Sequence, residues 1–531
     1  MRLASLLGHG ARLLRTVVKS MRPSDALASN YFRSKKYLGA RERRFISAAV
    51  FAAFRTLSLV EWCGVGVVTV MQDRNRQRRH VDKPLHPPST NHIAALEDTI
   101  AMRMAGERDD SYGWELCVLA AVILLGERAS IFETNEKLAE AINFKSDDPN
   151  DIDKVVAVVA SALEEQMNWQ EGVGHEWAWR TLERWQAMFE RGNMLAKRDQ
   201  ISDADLNFLS NRLAMPVWIL RSWKEKFGLG TSSVRWSTVA SRAEALLHSA
   251  PVGLRVNTLI ARRSDALKSL SDDNIPAGEG LLAPTAIILD RRRNLAETHA
   301  YTHGLIEVQD EASQMLAYAL DPEPHWKILD ACAGAGGKTL HIAALQKDKG
   351  SIIAADVENK RLRELPRRAR RATIRSIETV LLKSRARDKN GFPPQLEAHR
   401  DGCDAVLVDV PCSGMGTVRR APSLKWRLTP SLLKRLAARQ LELLHMYARC
   451  VKPGGVLIYS TCSLMHTENG AVVERFLMEN RNFAAEALEP FFERHNVVVP
   501  KLDKDAFSIT LSPDLHGTDG FFIARMRRKP A

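Results

Sequence analysis

Two cysteines fifty residues apart, in Asp409-Val-Pro-Cys412-Ser-Gly-Met-Gly416 and Tyr459-Ser-Thr-Cys462-Ser463, are the residues of this chain best suited to covalent chemistry. A thiolate can add to an electron-poor carbon and later leave, so a thiol pair beside an acid can open and close a covalent intermediate. Asp409 supplies the acid, just ahead of Cys412. On sequence position alone either thiol could be the nucleophile. Each follows an apolar run, Ala405-Val-Leu-Val408 or Val456-Leu-Ile-Tyr459, that reads as a buried strand. Both thiols and Asp409 therefore belong at the carboxyl edge of a parallel sheet, where such sheets bind ligands.

A third strand, Trp326-Lys-Ile-Leu-Asp330, runs into the turn Ala331-Cys332-Ala333-Gly334-Ala335-Gly336-Gly337-Lys338-Thr339, which opens a helix. Strand, flexible turn and helix N-terminus make a cradle for a nucleotide or cofactor. The next apolar run, Ser351 to Ala355, stops at Asp356, where a carboxylate can accept hydrogen bonds from ribose hydroxyls. Gly337-Lys338-Thr339 also imitates the end of a phosphate loop. That motif requires an earlier glycine where this chain has Cys332, which argues against a nucleotide hydrolase.

A chain of 531 residues exceeds a single core and implies two or three domains. Its net charge of +13 and pI near 9.4 point to an anionic partner, for which nucleic acid is the natural choice over a merely basic soluble protein. Seven cysteines with no zinc-like or disulfide-like spacing imply free thiols, no metal and a reducing compartment. The most apolar stretch, Val118 to Leu125, is too short to cross a bilayer and reads as a buried helix. The basic, acid-free start, Met1 to Arg22, is compatible with a transit peptide but fits better as a first domain helix.

Residues 1 to about 200 read as helical, with apolar positions three and four apart in Phe45–Trp62, Leu116–Leu125 and Ile152–Leu163. The basic run Arg74 to Arg79 reads as a solvated loop, open to RNA phosphates. Trp169, Trp177, Trp179 and Trp185 read as core aromatics in preference to a base-stacking platform. Beyond Ala296 strands and helices alternate, the pattern of a doubly wound α/β sheet. Strands are expected at 327–330, 351–355, 377–382, 405–409 and 456–460, with a terminal antiparallel pair at 506–511 and 521–525.

Taken together, Asp330 to Lys338, the Pro-Cys412 and Thr-Cys462 segments, Glu468-Asn469, Val308-Gln-Asp-Glu-Ala-Ser313 and Gly520-Phe-Phe-Ile-Ala524 resemble the Sun/Fmu family of RNA cytosine carbon-5 methyltransferases. Asn30 to Ile46 is similar, less specifically, to the NusB-like domain of its bacterial rRNA branch. The resemblance implies a Rossmann-like S-adenosylmethionine-dependent methyltransferase domain at 296–531, an all-α NusB-like RNA-binding domain with a tryptophan-rich extension at 1–200, and a linker subdomain at 201–295.

It further implies cytosine methylation in small-subunit rRNA. A transfer-RNA enzyme and a non-catalytic ribosome-assembly factor are the alternatives, the latter disfavoured by two intact cysteines. Carbon 5 of cytosine is a poor nucleophile until a thiolate adds to carbon 6. The resemblance gives that attack to Cys462 and release to Cys412. Asp409 would favour a protonated ring nitrogen 3, and Lys338 would neutralise Asp409 or meet the cofactor's carboxylate region. The cofactor would lie against Asp330, Cys332 to Lys338, Asp356 and Asp409. The thiol of Cys332 reads as packing. The family's adenine-contacting Asp is absent from Thr379 to Arg385, which leaves Ser384 or a backbone carbonyl. RNA would cross Arg419, Arg420, Lys425, Trp426 and Arg427, together with the run Arg361 to Arg371. A cytoplasmic monomer without membrane contact is expected.

Overall fold

The computed structural model describes residues 2–18, 24–57, 113–125, 152–167, 172–226, 234–289, 292–383 and 391–530. The basic run Arg74 to Arg79, Trp169 and Ser384 lie outside them. The chain divides into two compact units. One comprises Met1–Glu225, Ser233–Ser249 and Val418–Arg427; the other comprises Lys226–Ser232, Ala250–Thr417 and Leu428–Ala531.

The first unit is helical. Its centre is the helix Gly113–Leu125, in which every side chain from Leu116 to Leu125 is buried. A helix apolar on all sides needs cover on all sides, and Leu3–Val18, Ala40–Arg55, Ile152–Met167 and Val173–Ala196 provide it. Close approach needs small residues: a Cβ on Gly174 would lie 2.5 Å from the Ala160 carbonyl oxygen. Trp177 is fully buried in this core and Trp185 packs on its margin, while Trp179 is partly exposed. Among the described residues no helix is long and apolar enough to cross a membrane.

The second unit holds two sheets. Strands β1 (Val252–Val256), β2 (Gly278–Glu279), β3 (Ala286–Leu289) and β4 (Ile306–Val308) form a small antiparallel sheet in the order β2-β3-β1-β4. Strands β5 (Lys327–Asp330), β6 (Ser351–Asp356), β7 (Ile377–Leu381), β8 (Cys403–Asp409), β9 (Val451–Thr461), β10 (Phe483–Ala485), β11 (Ser508–Leu511) and β12 (Phe521–Arg528) form the large one. Its order is β10-β12-β9-β8-β5-β6-β7, with β11 paired to β12. Strands β5 to β9 are mutually parallel; β12 runs antiparallel to β9, and β10 and β11 antiparallel to β12. The expected strands are all present. The run 521–525 pairs with 508–511 as expected and also with β9, and the short β10 was not anticipated.

Successive strand residues alternate between two cores. Ile328, Ile352, Leu407 and Ile458 enter one, with the helices Glu311–Leu320 and Gly337–Leu345. Leu329, Ile353, Val408 and Tyr459 enter the other, with Pro430–Ala448 and Gly470–Glu479. A sheet covered on both faces requires the continuous apolar runs seen in the sequence. From β5 the order proceeds to β6 and β7 on one side and to β8 and β9 on the other. This reversal opens a crevice outside the carboxyl ends of β5 and β8, the general ligand site of open α/β sheets.

Candidate active site

Four neighbouring strand ends bring their terminal residues to that crevice: Asp330 from β5, Asp356 from β6, Asp409 from β8 and Thr461, followed by Cys462, from β9. The turn after β5 is fastened at several points. Ala331 N–H donates to the Leu407 carbonyl (2.9 Å), Ala333 N–H to the Ala355 carbonyl (3.0 Å) and Gly336 N–H to the Ala333 carbonyl (2.9 Å). Gly334 N–H donates to Asp356 Oδ2 at 2.7 Å, and Glu358 N–H to Asp356 Oδ1 at 2.7 Å. Asp356 thus ties the glycine turn to its own strand end, and each oxygen keeps a further lone pair for a ligand.

Two glycines are required here by conformation. Gly334 and Gly336 have φ of +56° and +82°, values that side chains rarely adopt. A Cβ on Gly336 would also meet Leu365 at 2.1 Å, whereas one on Gly334 would meet nothing within 4 Å. The open side of the turn is therefore at Gly334. Ala335 is fixed through its carbonyl, which accepts from Arg368 at 2.6 Å. Gly337 and Lys338 begin the helix.

Asp330 is buried, with Oδ2 accepting from Thr339 Oγ1 at 2.7 Å and Oδ1 lacking a partner among the described residues. Burial pushes its carboxyl up to about 7, against the Thr339 hydrogen bond, with Asp409 adding to the rise. Asp409 is differently placed. Lys338 Nζ lies 2.6 Å from its Oδ2 and Ser460 Oγ donates to its Oδ1 at 2.9 Å. Burial alone would lower the Lys338 ammonium, but the Asp409 carboxylate outweighs it and holds the group above its ordinary value. The ammonium also sits 5.1 Å from the Phe521 ring centroid, which accounts for an aromatic in the C-terminal motif.

The two thiols meet. Cys412 Sγ and Cys462 Sγ are 3.2 Å apart, both partly accessible. The hydrogen bond to Cys462 and then burial hold the Cys412 thiol well above its ordinary value, with Glu468 contributing. Cys412 is therefore biased to keep its proton, and either sulfur can donate across the pair. The loop carrying it is stitched to β9, because Gly416 N–H donates to the Cys462 carbonyl and Gly520 N–H to the Gly416 carbonyl, each at 2.9 Å. A Cβ on Gly416 would lie 1.9 Å from the Gly520 carbonyl oxygen, so both glycine motifs serve one backbone contact. Cys332 is held protonated by burial and by Asp409, Asp330 and Asp356, in keeping with a packing role for its thiol.

The expected RNA face needs correction. Lys425 is fully buried, which with the nearby Arg55 pushes it well below its ordinary value, and its amine donates to the Arg55 carbonyl at 2.5 Å. Trp426 Nε1 donates to the Phe54 carbonyl at 2.8 Å and its ring packs against the helical core. Arg427 donates to the Val17 carbonyl at 3.0 Å, and Arg419 is buried. Helices Leu3–Val18 and Ala40–Arg55 end at these carbonyls, and unsatisfied helix C-terminal carbonyls attract cations. The basic run caps helices, and of its five residues Arg420 alone is exposed. The second basic run divides similarly. Arg368 and Arg371 pair with the buried Glu307, leaving Arg361, Arg363, Arg367 and Arg370 exposed.

No role could be assigned from spacing to Glu468, Gln440, Ser413 or Ser463, which form a hydrogen-bonded web behind the thiols. Polar residues in a loop lack periodicity, and the one available signal was the place of Glu468-Asn469 among the segments that carry the family resemblance.

A family model described as 16S rRNA methyltransferase RsmB/F matches residues 317–527, and one described as an RsmF/B-like ferredoxin-like domain matches 215–296. A probable ribosomal RNA small subunit methyltransferase B of Bacillus subtilis is 34% identical over 324 residues, covering 60% of this chain and 68% of that protein. Its namesake in Synechocystis is 31% identical, covering 65% of this chain and 73% of its own. The crystal structure of PH0851 superposes with a TM-score of 0.62 at 22% identity over 98% of both chains, which shows a common fold. With the glycine turn, the apposed cysteines and the closing glycine contact all falling within the matched segments, the chain belongs to the RsmB/F family of RNA methyltransferases.

Proposed function

We propose that this chain methylates carbon 5 of a cytosine in small-subunit ribosomal RNA, with S-adenosylmethionine as donor and Cys462 as covalent nucleophile. The observation that carries the reading is the 3.2 Å apposition of Cys462 and a proton-holding Cys412 beside the Lys338–Asp409 pair. One nucleophilic thiol would serve an acyl or alkyl transfer; a second thiol at its side suits a reaction that must also expel the first.

The residues present fit the cofactor. Gly334 faces open space, Asp356 retains acceptor capacity at a strand end, and Asp330 has an unmatched buried oxygen. Asp330, Cys332 to Lys338 and Asp356 would hold it, with Asp409 at the border to the base. When bound, S-adenosylmethionine supplies an electrophilic methyl group. Cys462 adds to carbon 6 of the base, and the electron pair moves to ring nitrogen 3, which takes a proton from the Lys338–Asp409 pair, the ammonium being its source. Lys338 keeps Asp409 oriented for this. In release, Cys412 passes its proton to the departing Cys462 sulfur and, as the thiolate so formed, takes the carbon-5 proton, while the Lys338–Asp409 pair recovers the ring proton. The helical region 1–200 and the subdomain 201–295 would bind and present the RNA to the domain 296–531. The names of the relatives support the rRNA assignment.

Denaturing gels with labelled RNA and cofactor test the mechanism. Cys462→Ala should give neither methylation nor conjugate, whereas Cys412→Ala should accumulate a methylated protein–RNA conjugate. A conjugate from the Cys462 variant would exchange the roles; methylation intact in both would defeat the mechanism. Bisulfite sequencing of ribosomal and transfer RNA from a deletion strain tests the substrate, and loss of a signal in transfer RNA alone would redirect it.

A further inference from the structure

The loops bearing Cys412 and Cys462 come from different strands, so a mutual distance of 3.2 Å requires something to fix it. Backbone contacts do part of this, but a carboxylate lies between the loops. Glu468 is fully buried on the short turn His466–Glu468. Its Oε1 accepts from Ser413 N–H (2.8 Å) and Gln440 Nε2 (2.9 Å); its Oε2 accepts from the hydroxyls of Ser413 and Ser463, each at 2.5 Å. Ser413 directly follows Cys412, and Ser463 directly follows Cys462. One carboxyl group therefore grips the residue after each thiol.

The surroundings extend the grip. Gln440 Nε2 also donates to the Pro411 carbonyl at 3.0 Å, on the other side of Cys412. Asn469 accepts from Thr461 Oγ1 at 2.6 Å and donates to the Ser463 carbonyl at 2.9 Å, bracketing Cys462. Tyr459 hydroxyl donates to the Glu468 carbonyl at 2.5 Å, holding the turn itself. All four donors to the carboxylate are uncharged, so burying it among them disfavours stability relative to an apolar filling. Such a group is retained for what it positions.

We propose that Glu468 is a positioning residue that sets the register of the Cys412 and Cys462 loops, and that its principal effect falls on release of the methylated base. This rests on the two-thiol reading above. Attack needs Cys462 alone, whereas release needs Cys412 held against it, so loosening the clamp should slow the second step more than the first.

The variants separate geometry from charge. In Glu468→Gln the amide oxygen can still accept from Ser413 N–H and Gln440, and the amide nitrogen can donate to the two serine hydroxyls once these rotate. Glu468→Ala removes all four bonds. On denaturing gels with labelled RNA, Glu468→Ala should accumulate methylated conjugate and release product about 10²-fold more slowly, the scale of a small misplacement of reacting groups, while Glu468→Gln should restore release. Should the alanine variant be insoluble, Ser413→Ala with Ser463→Ala decides, since the pair removes the Oε2 arm and should trap conjugate too. Methylation and conjugate falling in parallel, or an unchanged ratio of conjugate to free product, would overturn the proposal. So would trapping by Glu468→Gln equal to that of alanine, because charge would then be the determinant. Cys412→Ala is run alongside: if it traps no conjugate, the two-thiol reading fails and this inference with it; if it does while the Glu468 variants release normally, only the positioning role is lost.

Discussion

Two lysines of this protein, Lys338 and Lys425, are put to opposite uses. Lys338, at the start of the helix after β5, lies against Asp409 at the edge of the ligand crevice, where charge can change during a reaction. Lys425, just beyond the Cys412 loop in sequence, is buried in the helical unit, where burial and the nearby Arg55 push it well below its ordinary value and its amine donates to a helix-terminal carbonyl. The residue type is the same in both. What differs is the available acceptor: a carboxylate beside the thiols in one case, a fixed peptide dipole in the other.

The strongest way to break this comparison is at Asp409. Asp409→Asn keeps the shape and one acceptor for Ser460, but removes the ring-nitrogen acid and the partner of Lys338. General acid catalysis contributes about 10²–10⁴-fold, so kcat should fall by that range with the melting temperature nearly unchanged. Activity within a few-fold of wild type would remove the acid role and make the pair merely structural.

A second test uses Asp330, whose carboxyl burial raises to about 7. Below about pH 4 folded and unfolded chains both carry its proton. Between there and 7 only the folded chain does, so the stability it contributes is present at low pH and lost as pH rises through 7. The slope for one such group is about 1.4 kcal/mol per pH unit at most. Asp330→Asn imitates the protonated acid and can still accept from Thr339. The variant should therefore gain on wild type between pH 5 and pH 8 in thermal unfolding. Parallel curves for the two proteins would show that Asp330 is ionised throughout.

The legibility of the sequence differed between the same regions. Strands β5 to β9 could be read because a doubly covered sheet demands unbroken apolar runs, and the thiols and Asp409 could be placed because they end those runs. The glycine turn was legible for a related reason: the positive φ at Gly334 and Gly336 leaves a compositional mark. Roles decided by hydrogen bonding across long sequence separations left none. Glu468 grips Ser413 from fifty-five residues away, and Lys425 meets Arg55 across 370. A basic run looks the same whether it meets phosphate or caps a helix, and only the fold shows which carbonyls it reaches.

Lys425→Met sharpens the contrast within the helical unit. It should leave the buried Arg55 carbonyl unpaired, at a cost of about 1–3 kcal/mol, visible as an earlier unfolding transition. Because the Lys425 side chain never reaches solvent, the dependence of RNA affinity on salt should not change. A flattened salt dependence in a folded variant would return Lys425 to the RNA face.

The smallest effect is expected at Arg420, and it tests the other half of the same argument. Arg420 is exposed within a run whose other four members are buried or tied to the helical unit. Each phosphate neutralised on a single strand steepens log affinity against log salt by about 0.7. If Arg420 meets one phosphate, Arg420→Glu should flatten the slope by about that amount and weaken binding only severalfold at moderate salt. Arg370→Glu, on the exposed side of the helix Glu364–Arg371, should act similarly and add to it, since independent phosphate contacts sum in the slope. Slopes unchanged in both variants, measured by filter binding from low to moderate salt, would move the RNA path away from these two arginines.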